Sequence, residues 1–251
     1  MKFLKSKLFA LLFVTSLLSC NAQVKTNEDP NFKSTDDLKI TKAQVTYDSA
    51  LEHHIFDIRV KGKAGESKPK AVGSLNGAPV LGYVFPTSLK PTDVGFSATD
   101  GIVALALTSH PDFDDTPLWD EDMNGDPTNT GDGIIWHPHW VVLTSDDRVA
   151  GGLSVKQFKK ADNVSLPPTN PGMPMYMDSP GYHVITKGNS IKVVVPKFRM
   201  NNVTDFSFDG VAAYMQVNTD WEKNNLPMLG VYAVYSVASG DLSLPYKVKK
   251  K

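Results

Sequence analysis

Residues 132–144 read DGIIWHPHWVVLT, in which 134–143 are apolar except for two histidines one residue apart with a proline between them. If this run is extended, Ile135, His137, His139, Val141 and Leu143 share one face, and Ile134, Trp136, Pro138, Trp140 and Val142 share the other, because strand side chains alternate. Both faces are then apolar. A strand of that kind needs packing on each side, which argues for two layers of sheet rather than one sheet with a wet face. Proline lacks a ladder donor, so Pro138 predicts an edge position or a bulge.

The rest of the chain agrees. Short runs rich in Val, Ile, Tyr and Phe recur between Gly, Pro, Asn and Asp clusters at 38–47, 55–60, 80–85, 102–108, 134–143, 149–158, 182–186, 191–195, 207–217 and 230–237. Within IFDIRV, Phe56, Ile58 and Val60 alternate with Asp57 and Arg59, whereas GIVALAL is apolar on both sides. Seventeen prolines and eighteen glycines, well spread, suit turns better than a helical bundle. No amphipathic helix longer than a few turns, no repeat and no domain linker stands out. The expectation is all-β: a single-domain β-sandwich or flattened barrel with two long loops, 110–133 and 159–180.

The N-terminus has a different character. MKFLKSKLFALLFVTSLLSC carries three lysines before an apolar stretch too short for a spanning helix of ~20 residues. It ends in Leu-Leu-Ser-Cys, which resembles the lipobox of bacterial lipoproteins. That resemblance implies cleavage before Cys20, lipid on its sulfur and a lipid-anchored place in the cell envelope, on the periplasmic face or outer membrane. The chain then divides into a signal peptide (1–19), a flexible tether (20–35) and one β domain (36–251). Cys20 is the only cysteine, which excludes an internal disulfide and a thiolate metal site. The formal charge is -1, and without the three signal lysines acids outnumber bases by about four. Nothing in this balance favours nucleic acid, and the closing KVKKK reads as a solvated terminus. Membrane contact through the lipid is the expected partner, with no protein partner named by the sequence.

Two imidazoles on one strand face can reach a single ion, since zinc and copper take neutral imidazole nitrogen at about 2.0 Å. If both are buried and unpaired, each costs on the order of 1 to 3 kcal/mol, and a metal would satisfy both. The alternative is a pair of rim histidines bonded to loop carboxylates. The neighbouring run, GIVALALTSHPDFDD, favours the metal: it ends at His110 and opens into a loop with Asp112, Asp114 and Asp115. If the two strands pair, His110 supplies a third nitrogen, and Asp112 or Asp114 a fourth ligand or an orienting partner. Zinc is the first expectation and copper the second.

Other constellations compete. Asp120, Asp122, Asn124 and Asp126 resemble the first half of a calcium loop, but its twelfth position is Gly131 where a Glu is required. Met173, Met175 and Met177, with His183 following, could hold copper or could fill a gap under a proline-rich loop. His53 and His54 are adjacent and point to opposite strand faces, so only one could join a site. Nucleophile elbows, phosphate loops and dinucleotide fingerprints are missing. A zinc-dependent hydrolase or lyase would therefore need the same histidines with Glu52 or Glu121 as base. Trp119, Trp136 and Trp140 could form an aromatic platform for a glycan.

The blocks YVFPTSL, TSHPDFDDTPLWDE, HPHWVVL and LPPTNPGMPMYMDSPG, between 80 and about 195, resemble an uncharacterised family of bacterial secreted or periplasmic proteins. The resemblance implies metal handling and no defined reaction. The leading expectation is an envelope-anchored transition-metal binding protein that sequesters or delivers its ion. The alternatives are a calcium-stabilised glycan- or protein-binding module and the zinc-dependent enzyme.

Overall fold

The computed structural model describes residues 26–115 and 134–251. Within them the strands are β1 (Ile40–Asp48), β2 (His53–Val60), β3 (Pro79–Pro86), β4 (Ile102–Ser109), β5 (His137–Ser145), β6 (Leu153–Val155), β7 (Met177–Asp178), β8 (His183–Lys187), β9 (Ser190–Pro196), β10 (Ser207–Phe208), β11 (Val211–Val217), β12 (Leu229–Val237), β13 (Tyr246–Lys247) and β14 (Lys249–Lys250). The one α-helix among the described residues is α1 (Trp221–Asn224). The chain is all-β, as expected, and the two layers take a particular form. Strands run in the order β4-β3-β11-β12-β6-β5, and β5 pairs back onto β4, which closes an antiparallel barrel of six strands. A second sheet, β14-β1-β2-β9-β8, packs against the outside of that barrel.

Alternation along the barrel strands creates two separate cores. Inward residues such as Val80 and Val84 on β3, Ala104 and Ala106 on β4, Val141 and Leu143 on β5, and Ala213 and Met215 on β11 fill the barrel. Their neighbours face the second sheet: Leu81, Tyr83 and Phe85, then Leu105 and Leu107, then Trp140 and Val142. They meet Phe56, Ile58 and Val60 of β2 and Ile191, Val193 and Val195 of β9. This is why the 134–143 run is apolar on both faces: one face lines the barrel, the other seals the layer beneath it. Two irregularities in the β11–β12 ladder, between Ala212 and Ala213 and between Tyr214 and Met215, each skip a β12 residue. Bulges of this kind bend a strand and help a six-stranded sheet close on itself. Gly82 leaves room inside the narrow barrel, since a Cβ there would sit 2.7 Å from Met215 Cε.

Several expectations change in detail. The β4–β5 ladder runs through the Leu107–Pro138 pair with no register shift, so there is no bulge at Pro138. The edge prediction fares better: β7 and β6 engage the other side of β5 only at Trp140–Val141 and at Leu143–Ser145. The expected strand 149–158 shortens to β6, and 207–217 is divided into β10 and β11. At that division Asp209 Oδ1 accepts the amides of Gly210 (2.8 Å) and Ser239 (3.1 Å), so the backbone leaves the ladder to cap a carboxylate. Part of the stretch read as tether is docked. The Asn27 side chain donates to the Tyr232 carbonyl at 2.7 Å and accepts from the Val234 amide at 2.8 Å, while the Phe32 ring stacks on Tyr214. The basic C-terminus is also paired, with Lys249 and Lys250 lying parallel to β1.

Candidate metal centre

The register of β4 and β5 sets the site. Ala106 lies opposite His139 and Thr108 opposite His137, so both histidines project into the barrel beside the inward residues of β4. His110 follows two residues after Thr108, just past the end of β4, on the same inward side. The chain then folds back: the Phe113 ring lies flat on the His110 imidazole, with centroids 3.9 Å apart and planes within 4°. That stacking brings Asp115 over the three imidazoles. All four side chains are buried, with His110 at 1%, His137 at 5%, His139 at 2% and Asp115 at 9% exposure.

Their ligand atoms lie within 4.8 Å of one another. His110 Nε2 is 3.0 Å from His137 Nε2. Asp115 Oδ1 is 3.2 Å from His110 Nε2, 3.2 Å from His137 Nε2 and 3.5 Å from His139 Nε2. Four donors bound tetrahedrally at zinc-like distances stand about 3.3 Å apart, so these separations match the edges of one ion's coordination shell.

The surroundings aim the His137 lone pair inward. His137 Nδ1 lies 2.9 Å from the Ile135 carbonyl, which can only accept. His137 therefore carries its proton on Nδ1 and presents a bare Nε2 to the cluster. His139 Nδ1 is held at 2.9 Å by the Ser179 hydroxyl, while its Nε2 is buried with no hydrogen-bond partner. Thr108 Oγ1 approaches His137 Nε2 at 3.3 Å. Burial pushes His139 down to about 3, only partly offset by the Asp115 carboxylate, so its imidazole stays neutral. Burial would raise Asp115, but its hydrogen bonds to the His110 and His137 imidazoles act against that, and the carboxyl lies well below the usual range. A neutral His139 beside an ionised Asp115 is the protonation state that metal ligation requires. A single cation would give each inward lone pair a partner and offset the cost of burying the carboxylate.

Of the carboxylates named from sequence, neither Asp112 nor Asp114 belongs to this group of four. Asp112 turns outward and accepts the amides of Val72 (2.9 Å) and Gly73 (2.7 Å), pinning the loop before β3. Asp115, read only as a loop neighbour, occupies the ligand position. The signal for it was weak: Phe113, between Asp112 and Asp114, stacks on His110, and the residue two further on lies over the site. The methionine reading for copper is corrected. Met175 and Met177 are core side chains inside the barrel, Met173 packs against the same core, and His183 is exposed at the start of β8 in the other sheet. His54 is fully buried in the core between the layers, away from the cluster. Glu52, proposed as a base, lies in the β1–β2 turn and pairs with Lys197 at 2.5 Å. Trp136 and Trp140 are buried and cannot form an exposed platform. The calcium candidates Asp120, Asp122, Asn124 and Asp126, together with Trp119, Glu121 and Cys20, lie outside the described residues.

Comparison of the chain with protein-family models, with curated proteins and with solved structures finds no match in any of the three. The strongest functional statement therefore comes from the site itself: a buried three-histidine, one-carboxylate cluster that could hold a metal ion at one end of a closed β-barrel.

Proposed function

We propose that this protein is held in the cell envelope by lipid on Cys20 and binds a divalent transition metal, zinc first and copper second, to sequester it or hand it on. The observation that carries the reading is the convergence of His110, Asp115, His137 and His139, four buried ligand atoms within 4.8 Å of one another. Three imidazoles and a carboxylate form a borderline-to-hard donor set, which suits Zn(II) and Cu(II) better than Cu(I), whose preference is for sulfur. Burial of all four ligands favours slow release, as sequestration requires.

Metal content decides the question. The full chain, purified without a tag, is expected to carry close to one equivalent of zinc or copper by elemental analysis, and His137→Ala and His139→Ala are each expected to lose most of it. If both variants keep the wild-type content of both metals, the reading is wrong. Anchoring is tested apart from binding: Cys20→Ser is expected to move the protein from the membrane fraction to the soluble fraction with its metal retained.

A further inference from the structure

The barrel is not filled to its end. A cavity of about 50 Å³ lies inside it, walled by apolar side chains that include Val84, Ala106, Val141, Leu143, Ala213 and Val231. Among the described residues, the others lining it are Thr108 and three of the four candidate ligands, His110, Asp115 and His139. His137 does not line it. The donor set thus turns its His110–Asp115–His139 face toward the chamber, and the buried, unpartnered His139 Nε2 belongs to that face.

We propose that the chamber admits a small uncharged ligand, of the size of dioxygen or nitric oxide, to the bound metal; this rests on the metal-binding reading above. The small volume suits a ligand of a few atoms. The wall offers almost no hydrogen-bonding groups apart from those committed to the metal. Apart from that ligand face the wall is apolar, which favours an apolar guest and penalises a charged one. A tetrahedral zinc ion would be saturated by the four side chains. Copper(II), the second metal of that reading, takes ligands beyond four, as does iron(II), so either has a position to offer on the face that meets the chamber. Ligand binding alone is proposed, with no electron transfer.

The test uses the full chain loaded anaerobically with Fe(II), with iron content measured first and nitric oxide then added under electron paramagnetic resonance. An iron-nitrosyl signal close to one per bound iron is expected. Ala213 is on β11, apart from β5 and the segment after β4 that bear the ligands, and Ala213→Leu fills the chamber from that side. It is expected to weaken nitric oxide binding about tenfold with iron content unchanged. Ala213→Val adds less bulk and decides the matter if the leucine variant does not fold. Azide, as an anion of similar size, is expected to bind much more weakly than nitric oxide. Bound iron with no nitrosyl signal, Ala213 variants that bind nitric oxide like the wild type, or azide binding as tight as nitric oxide would each overturn the proposal. A chain that takes up zinc or copper but no iron overturns this proposal alone, one that takes up none of the three overturns the metal reading as well, and the metal analysis reveals either before any gas is added.

Discussion

Asp112 and Asp115 sit three residues apart in one acidic loop, yet one braces a neighbouring loop while the other faces three imidazoles. Asp115→Asn keeps the shape and removes the charge. It is expected to cut metal affinity by roughly 10- to 100-fold or more, read by competition with a chromogenic chelator. Asp112→Ala is expected to leave metal content unchanged and to lower stability by about 1 kcal/mol through the lost amide contacts. The contrast shows how far the site could be read from sequence. The histidines follow from strand periodicity, because 137 and 139 must share a face once that stretch is extended. The choice among Asp112, Asp114 and Asp115 depends on a loop fold governed by ring stacking on His110, which leaves no periodic trace. His54 makes a second residue-level case. It is fully buried against Tyr47, Phe56 and Phe206, neither ring nitrogen has a partner, and burial, with His53 adding to it, pushes its pKa down to about 4. The unfolded chain takes up a proton near pH 6.5, and the folded chain does not until about pH 4. Stability supported by neutral His54 is therefore present above about 6.5 and lost as pH falls through that window. The loss is about 2 kcal/mol at most after allowance for solvent screening. His54→Leu is expected to raise the melting temperature at neutral pH and to flatten its decline between pH 6.5 and 4.

β5 shows why the architecture was legible at the level of elements. Its two apolar faces required a layer on each side, and the barrel interior and the second sheet supply them. What the pattern did not reveal was closure. A sandwich and a barrel share the same alternation, and the difference lies in the β4–β5 pairing and in the skipped residues of β12. Two-residue strands such as β7 and β14 are likewise too short to carry a period. The approach to β5 depends on one glycine. Gly65 has φ +72°, and a Cβ there would lie 2.6 Å from the Trp136 indole nitrogen, which donates to the Gly65 carbonyl at 3.1 Å. The Gly65 amide in turn donates to the Tyr83 hydroxyl at 3.1 Å. Gly65→Ala is therefore strained in its backbone and displaces Trp136, the residue that leads into His137. A loss of about 1–3 kcal/mol in denaturant unfolding is expected, together with a shifted tryptophan emission. Unchanged stability and emission would show that the indole does not need this contact.

Over the whole molecule, the two cores bear differently on the metal. The candidate ligands come from β5 and from the segment 110–115 that follows β4, all at one end of the barrel, while the core between the layers contains none of them. A bound ion would link β4 to β5 by side chains in addition to their ladder and would tie the returning loop to both. Removing it would leave inward lone pairs and a buried carboxylate facing one another, so the cost falls on that end of the barrel. A ligand that binds only the folded state stabilises it by about 2.7 kcal/mol at a free concentration one hundred times its dissociation constant. Chelation of the metal-loaded protein is therefore expected to lower the melting temperature by several degrees, with zinc restoring it. Hydrogen exchange locates the effect. If the metal holds the barrel end, chelation will speed exchange at residues 103–115 and 137–143 and leave the amides of β2 and β9 nearly as protected as before. Loss of protection spread evenly over both sheets would mean that the two layers unfold as one unit and that the metal stabilises the whole rather than the barrel end. A chelated protein with unchanged exchange at β4 and β5 would show that the cluster contributes nothing to the closure of the barrel.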